Sequence, residues 1–306
     1  MTFDVDRWCR HHLGAAAQDV QVISAHLSRV FGVRLAGGRE VVVKVRPDSP
    51  RLAACAAVQQ ALWRAGFPAP EPLTGPVVEQ GLAVSAEASV PGGSPAPDTD
   101  HTEHAARFAA LLARCIALAP RPATVGTLAP DLPWTAWNHA LPGVWPPADD
   151  RADDLNAAEH ATAWLDETGA RVRRRLGRFV RTAAGGRVVI GHGDWEAQNI
   201  RWDGAEPLVV HDWDSVTAAP EAVLVGLAAA VWPCGMVPRA ATVPESAAFL
   251  EAYQRAAGRA WTTEEIEASW AAGLWVSAFN TKKASLDGAS WLPPDEADQR
   301  LALAHA

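Results

Sequence analysis

Four side chains in this sequence have the types and the spacing to handle phosphate. The apolar run Val188-Val189-Ile190 ends in Gly191-His192-Gly193-Asp194, so an acid stands at the tip of a strand, where loops commonly carry reactive groups. Asn199 follows five positions later, just before the β-like Ile200-Arg201-Trp202. Thirteen positions beyond Asn199, Asp212 closes a second apolar run, Leu208-Val209-Val210-His211. Two antiparallel strand pairs can bring these three groups together. Phosphoryl transfer needs in-line positioning and charge neutralisation more than covalent help. In that chemistry Asp194 orients an acceptor hydroxyl and takes its proton. Asn199 and Asp212 offer oxygens to Mg²⁺, a hard cation that keeps several waters alongside phosphate. Lys44 is the fourth member: it interrupts Glu40-Val41-Val42-Val43-Lys44-Val45, and a lysine with apolar flanks wants an anionic partner.

Taken singly, each residue has a plainer reading. Asp194 could close a turn, and Lys44 could guard an edge strand. The joint spacing favours chemistry over both. His192 reads as a brace for the loop through hydrogen bonding and His211 as a packed strand residue. Asp214 reads equally as a group supporting the site or as an acid at a helix start.

These residues need a scaffold, and the hydropathy pattern supplies one. Residues 3–17 read as a helix, followed by β-branched alternation at 20–24, 29–35 and 39–45, the last two joined by Ala36-Gly37-Gly38 as a hairpin. A helix rich in Ala, Leu and Gln follows Ser49-Pro50 at 51–65 and stops at Gly66. Pro68-Ala69-Pro70-Glu71-Pro72 imposes extended chain. A strand pair spans 77–90, and Pro91-Gly92-Gly93-Ser94-Pro95-Ala96-Pro97 reads as a linker between lobes. Its entry is also where a purine would find backbone donors and acceptors, at Ala88 and Val90. Beyond the linker, helices are expected at 101–117, 154–182, 220–231, 244–257, 263–286 and 295–304. The helix at 154–182 presents Leu155, Ala158, Ala161 and Leu165 as apolar positions. A loop rich in Trp and Pro occupies 132–147, and short β segments return at 187–190 and 208–211. The outline is α+β, a β-rich first lobe and a larger helical second lobe, with no internal repeat.

With these motifs in place the sequence resembles the aminoglycoside phosphotransferases and their choline-kinase-like relatives among the protein kinases. The family motif H-G-D-x-x-x-x-N is matched by His192, Gly193, Asp194 and Asn199, and the following D-W-D/E by Asp212, Trp213 and Asp214. Lys44 matches the strand lysine, and Gly66, Pro68 and Pro70 match helix-Gly-x-Pro-x-Pro. The resemblance covers most of the chain. It implies a two-lobed, protein-kinase-like fold with a small antiparallel nucleotide-binding lobe at 1–91 and a catalytic, substrate-binding lobe at 92–306. It also implies that Asp194 is the catalytic acid-base, that Asn199 and Asp212 are the Mg²⁺ ligands and that Lys44 grips the phosphates of ATP or GTP. Two positions depart from the pattern. The helix glutamate that pairs with the strand lysine is replaced by Cys55, with Gln59 or Gln60 as neutral substitutes. The phosphate-covering turn, Ser24-Ala25-His26-Leu27-Ser28-Arg29, has no glycine, leaving Ser28 or backbone amides to cap the phosphates.

Composition narrows the function further. A 306-residue chain with 49% hydrophobic and 20% charged residues can bury a full core. A formal charge of −8 argues against a general nucleic-acid binder. The basic run Arg171-Val172-Arg173-Arg174-Arg175 reads as a solvated helix face. No stretch is long and apolar enough for a membrane span or a signal core. Four cysteines lie far apart, which suits neither a zinc site nor a disulfide framework and points to the cytoplasm. His11-His12 and His101-Thr102-Glu103-His104 do not match a helical metal spacing. Most of the 14 tryptophans read as core, with Trp270 and Trp275 as candidates to stack on a sugar or an organic cation. The segment Ser269-Trp270-Ala271-Ala272-Gly273-Leu274-Trp275 lacks carboxylates and Lys282-Lys283 follows, so the acceptor need not be polycationic. The expectation is an O-phosphotransferase acting on a hydroxylated small molecule, an antibiotic or a metabolite, and the alternative is an inert nucleotide-binding module motivated by Cys55 and the glycine-free turn. A conventional protein kinase is disfavoured, because residues 215–220 leave no room for a long activation loop.

Overall fold

A computed structural model describes residues 3–25, 27–95, 101–157, 160–235 and 238–306. Strands β1 (Ala17–Ala25), β2 (Arg29–Leu35), β3 (Glu40–Pro47), β4 (Val77–Glu79) and β5 (Leu82–Ala88) form one antiparallel sheet in the order β1-β2-β3-β5-β4. Side chains alternate between the faces of a strand. Val41, Val43 and Val45 of β3 therefore bury on one face with Phe31, Val33, Leu35, Val84 and Ala86, against Val5, Trp8 and Cys9 of helix α1 (Val5–His12). Lys44 and Arg46 fall on the other face. Helix α1 is shorter than the expected 3–17, because Gly14 takes φ +70° and turns the chain into β1, where Ala17 N donates to Asp6 Oδ1.

Helix α2 (Leu52–Arg64) follows the sheet strands in sequence but shares its apolar surface with the rest of the chain. Cys55, Val58 and Leu62 belong to the large core of the helical lobe. That lobe contains α3 (His101–Leu118), α4 (Ala163–Phe179), α5 (Glu221–Val231), α6 (Val243–Ala257), α7 (Thr263–Ser285) and α8 (Pro294–Ala304). Helix α5 is buried on every side, as its uniformly apolar sequence requires. It crosses α7 where Gly226 and Gly273 let the backbones meet, since a Cβ on Gly226 would strike the backbone of Ser269. Capping boxes at Thr242/Glu245 and Thr262/Glu265 start α6 and α7. No helix among the described residues is long and apolar enough to cross a membrane.

Two further expectations are corrected. Helix α4 starts at Ala163 rather than at 154, because side chains capture the backbone before it: Asp154 Oδ1 accepts from Asn156 N, and Asn156 Oδ1 accepts from Val144 N and Trp145 N. Residues expected to run from 215 almost directly into a helix instead form strand β9 (Val216–Pro220), antiparallel to β6 (Val188–His192). A second hairpin pairs β7 (Ile200–Asp203) with β8 (Glu206–Val210). The linker is fastened to that hairpin: Ser94 and Trp202 exchange backbone hydrogen bonds, and Arg201 donates to Gly93 O. Ala96 and Pro97 of the expected linker, Ala158 of the expected helix and His26 of the glycine-free turn lie outside the described residues.

Candidate active site

The two β pairs of the helical lobe bring Asp194, Asn199 and Asp212 to one place. His192 pairs with Val216 across β6 and β9, and Gly193 N donates to Ser215 O at 2.7 Å. Ile200 pairs with Val210 across β7 and β8, and His211 N donates to Asn199 O at 2.8 Å. Position 193 must be glycine: a Cβ there would lie 2.8 Å from Leu132 Cδ1 and 2.9 Å from Ser215 O. Asn199 Nδ2 donates to Asp194 Oδ2 at 2.8 Å and to Asp194 O at 2.9 Å, fixing the carboxylate. Asp212 adopts a left-handed backbone (φ 62°, ψ 50°), and its Oδ2 accepts from Ser215 Oγ at 3.0 Å. A non-glycine residue in that conformation carries strain of the kind that concentrates at functional sites.

His192 braces this loop. Asp194 N donates to Nδ1, which leaves Nε2 as the protonated nitrogen, 2.9 Å from His211 O. Burial pushes its pKa below the ordinary histidine value, so the ring is held neutral, between Trp195 and Trp213. Burial first, and then the charge of Asp212, push the Asp194 carboxyl up to about 7, with the Asn199 hydrogen bond opposing them. Glu196, two positions on, is buried and accepts from Gln198; burial and then the charge of Asp194 raise it well above the usual carboxylate range.

The surroundings of Lys44 differ from the expected arrangement. Lys44 does have a carboxylate partner, but a strand supplies it: Glu87 Oε1 of β5 lies 3.4 Å from Lys44 Nζ. Gln59 donates to Glu87 Oε2 at 2.9 Å rather than substituting for a carboxylate beside the lysine. Cys55 turns its thiol to Asp214 O at 3.6 Å. Asp214 is paired too, with its Oδ2 2.9 Å from Arg46 Nε, and it also stands in the first turn of a short 3₁₀ helix at Trp213–Ser215, so both of its expected readings keep a structural basis. Burial alone would push the Lys44 pKa down; Glu87, then Asp214 and Asp212, hold it above the usual lysine value.

The remaining expected positions divide. Ser28 stands in the turn between β1 and β2. Ala88 ends β5 opposite Val41 and donates its N–H to Glu71 O, so only its carbonyl can face a purine, and Val90 follows outside the strand. Trp270 and Trp275, expected to face an acceptor, are core residues with 6% and 0% exposure. Trp275 stacks on Trp145 and donates to Trp134 O, while Arg300 lies over the Trp270 ring. Trp134, half-buried, does reach the His192–Asn199 loop, with Nε1 donating to Gly193 O at 2.8 Å. Glu87, Arg46 and Glu196 were missed. Glu87 had one visible signal, a lone acid in the apolar run Leu82-Ala83-Val84-Ser85-Ala86-Glu87-Ala88. A separate groove of about 670 Å³, lined by Asp131, Thr135, Arg173, Arg181 and Thr217, contains none of the candidate residues.

The donor set fits Mg²⁺. Asn199 turns its NH₂ toward Asp194, so its Oδ1 is the atom that would ligate a cation, and the Asp212 carboxylate would add a second oxygen. Among the described residues no cluster of three or more His, Cys, Asp or Glu side chains could hold a metal. Mg²⁺ needs none where phosphate and water complete its shell.

A family model described as the phosphotransferase enzyme family matches residues 19–268. No curated protein sequence matches the chain. Among solved structures, an amicoumacin kinase in complex with AMP-PNP, Ca²⁺ and its ligand Ami is similar at 9% identity, over 99% of this chain and 92% of that one, with a TM-score of 0.62. A thermostable mutant of the aminoglycoside phosphotransferase APH(4)-Ia is similar at 17% identity, over 98% and 97% of the two chains, with a TM-score of 0.60. A spectinomycin phosphotransferase, APH(9)-Ia, with ADP and spectinomycin, is similar at 10% identity, over 98% and 92%, with a TM-score of 0.56. The two-lobed architecture is thus that of small-molecule kinases.

Proposed function

This chain belongs to the phosphotransferase enzyme family, and we propose that it transfers the γ-phosphoryl group of ATP or GTP, with Mg²⁺, to a hydroxyl of a small molecule. The observation that carries the reading is Asp194, a carboxylate fixed by Asn199 and next to Asp212, whose charge also acts on Lys44. Residues 1–91 would hold the nucleotide and residues 92–306 would supply the catalytic loop and the acceptor site.

Asp194 keeps Oδ1 clear of the Asn199 amide and directs it to the acceptor, whose proton it takes as the hydroxyl oxygen attacks phosphorus. The bond to the bridging oxygen breaks and a nucleoside diphosphate leaves. Lys44 binds the α- and β-phosphates, Asn199 and Asp212 hold the cation, and the carbonyl of Ala88 with the backbone of Val90 receives the purine. Mg²⁺, when bound, supplies neutralisation of the phosphate charge. Ser28 and the backbone of its turn cover the phosphates.

The neighbours with AMP-PNP or ADP bound support nucleotide use, and those with Ami or spectinomycin support an antibiotic among the acceptor classes, beside sugars and amino alcohols. Asp149 and Lys283 reach Asp194 electrostatically, so the acceptor mouth is mixed in charge rather than uniformly acidic. The four cysteines are free and buried, which suits a reducing, cytoplasmic compartment where nucleoside triphosphates are made.

The test is γ-phosphate transfer by the purified protein to a panel of aminoglycoside, sugar and amino-alcohol acceptors, with nucleotide and Mg²⁺ titrated by calorimetry. Transfer that disappears in Asp194→Ala is the expected result. Nucleotide binding without transfer to any acceptor would favour an inert module, and no binding at all would remove both readings.

A further inference from the structure

The carboxylate that positions Lys44 is on the sheet and not on a helix: we propose that Glu87 is the positioning residue for the phosphate-binding lysine, a role that rests on the phosphotransferase reading above. In the β3–β5 register, Lys44 lies opposite Ser85 and Val42 opposite Glu87. Lys44 and Glu87 are therefore diagonal neighbours on one face, within reach of each other. Glu87 Oε1 lies 3.4 Å from the ammonium, and Oε2 accepts from Gln59 Nε2, which also donates to Pro70 O at 3.1 Å. Both carboxylate oxygens are thus engaged, and the side chain has one orientation. An ammonium has three donors. Glu87 is the one acid within ion-pairing distance among the described residues, so two donor directions stay open for phosphate oxygens.

A stability role explains this pair poorly. The two side chains are 11% and 7% exposed, and a pair buried to that degree recovers little beyond the cost of desolvating it. What the pair does fix is geometry. Helix α2, where the related carboxylate was expected, is tied to the helical lobe: its apolar face lies in that core, Arg51 Nη1 donates to Pro130 O, Arg51 Nη2 donates to Val216 O, and Cys55 contacts Asp214 O. Lys44 and Glu87 sit on adjacent strands of one sheet. Movement of α2 with the helical lobe leaves their separation unchanged, straining instead the neutral Gln59–Glu87 hydrogen bond and the Arg46–Asp214 pair. Lys44 is accordingly set for phosphate whatever position α2 takes, and Cys55 is no defect.

The experiment measures the affinity of ADP and GDP against that of adenosine and guanosine in wild type, Glu87→Gln and Gln59→Ala, and repeats Glu87→Gln in a Lys44→Ala background. Glu87→Gln is isosteric, and a thermal scan checks that it is folded. Depriving the lysine of its charged partner should weaken diphosphate binding about 10-fold or more and leave nucleoside binding unchanged. In the Lys44→Ala background it should add nothing. Gln59→Ala should cost less than about threefold, because the ion pair persists without it. Three results overturn the proposal: Glu87→Gln with wild-type diphosphate affinity, a loss that persists without Lys44, or a Gln59→Ala loss as large as that of Glu87→Gln. A wild-type protein that binds neither nucleotide nor nucleoside would instead remove the functional reading on which the proposal rests.

Discussion

In the helical lobe the candidate chemistry comes from one continuous stretch, Asp194 to Asp212, presented by two short β pairs and locked by hydrogen bonds among its own members. On the sheet it comes from four separated places: Lys44 and Arg46 on β3, Glu87 on β5, Gln59 on α2 and Asp214 from the opposite lobe. The first arrangement holds the Asp194 carboxyl against Asn199, as a base beside a cation site would require. The second fixes a charge relative to a sheet. The same strand that places Lys44 and Arg46 on one face places Val41, Val43 and Val45 on the other, in the core beneath α1, so one alternation separates the candidate phosphate-binding charges from the core.

Variants can break the two halves apart. The largest effect is expected from Asp194→Ala, which should lower kcat by about 10²–10⁴ while leaving ADP affinity within a factor of two or so, as loss of a general base does. Steady-state kinetics with parallel calorimetry reads both numbers.

Next is a pH effect on the nucleotide-free protein. The folded Asp194 carboxyl, pushed up to about 7 by burial and then by Asp212, lies above its ordinary value of 3.8. The stability this contributes is complete below the unfolded value and is lost as pH rises through the folded one. Relative to Asp194→Asn, wild-type stability should fall between about pH 4 and pH 7, by up to ~4 kcal/mol. Denaturant melts at several pH values measure it, and identical profiles for the two proteins would contradict the buried-acid account.

Lys44→Ala should weaken ADP binding about 10- to 100-fold without touching adenosine. Val43→Ala, on the opposite face of the same strand, should do the reverse: a stability loss of about 2 kcal/mol by urea unfolding and no change in the ratio of ADP to adenosine affinity. A Val43 variant that changed that ratio would show that the two faces are coupled.

Legibility in the sequence follows the same division. The His192–Asn199 loop and Asp212 were readable because their spacing is local: each lies at the end of an apolar strand, and strand pairing decides where strand ends go. The β-rich lobe, the helical lobe and the hairpin at Gly37-Gly38 were readable from periodicity for the same reason. Glu87 was not, because its partnership with Lys44 is a matter of register between strands 43 positions apart in sequence, and no local pattern encodes register. Trp270 and Trp275 look amphipathic and available in the sequence, but α7 is buried along most of its length, a tertiary fact. The late start of α4 had a local cue in Asp154 and Asn156, whose side chains compete with the helix for backbone groups.

The reading rests on Asp194 taking the acceptor's proton while Asn199 and Asp212 hold the cation. Transfer of labelled γ-phosphate to an acceptor, wild type beside Asp194→Ala at saturating nucleotide and Mg²⁺, tests it most directly. Labelled product is expected from the wild type, with a loss of at least about 100-fold in the variant and nucleotide still bound. Equal transfer by both proteins would contradict it.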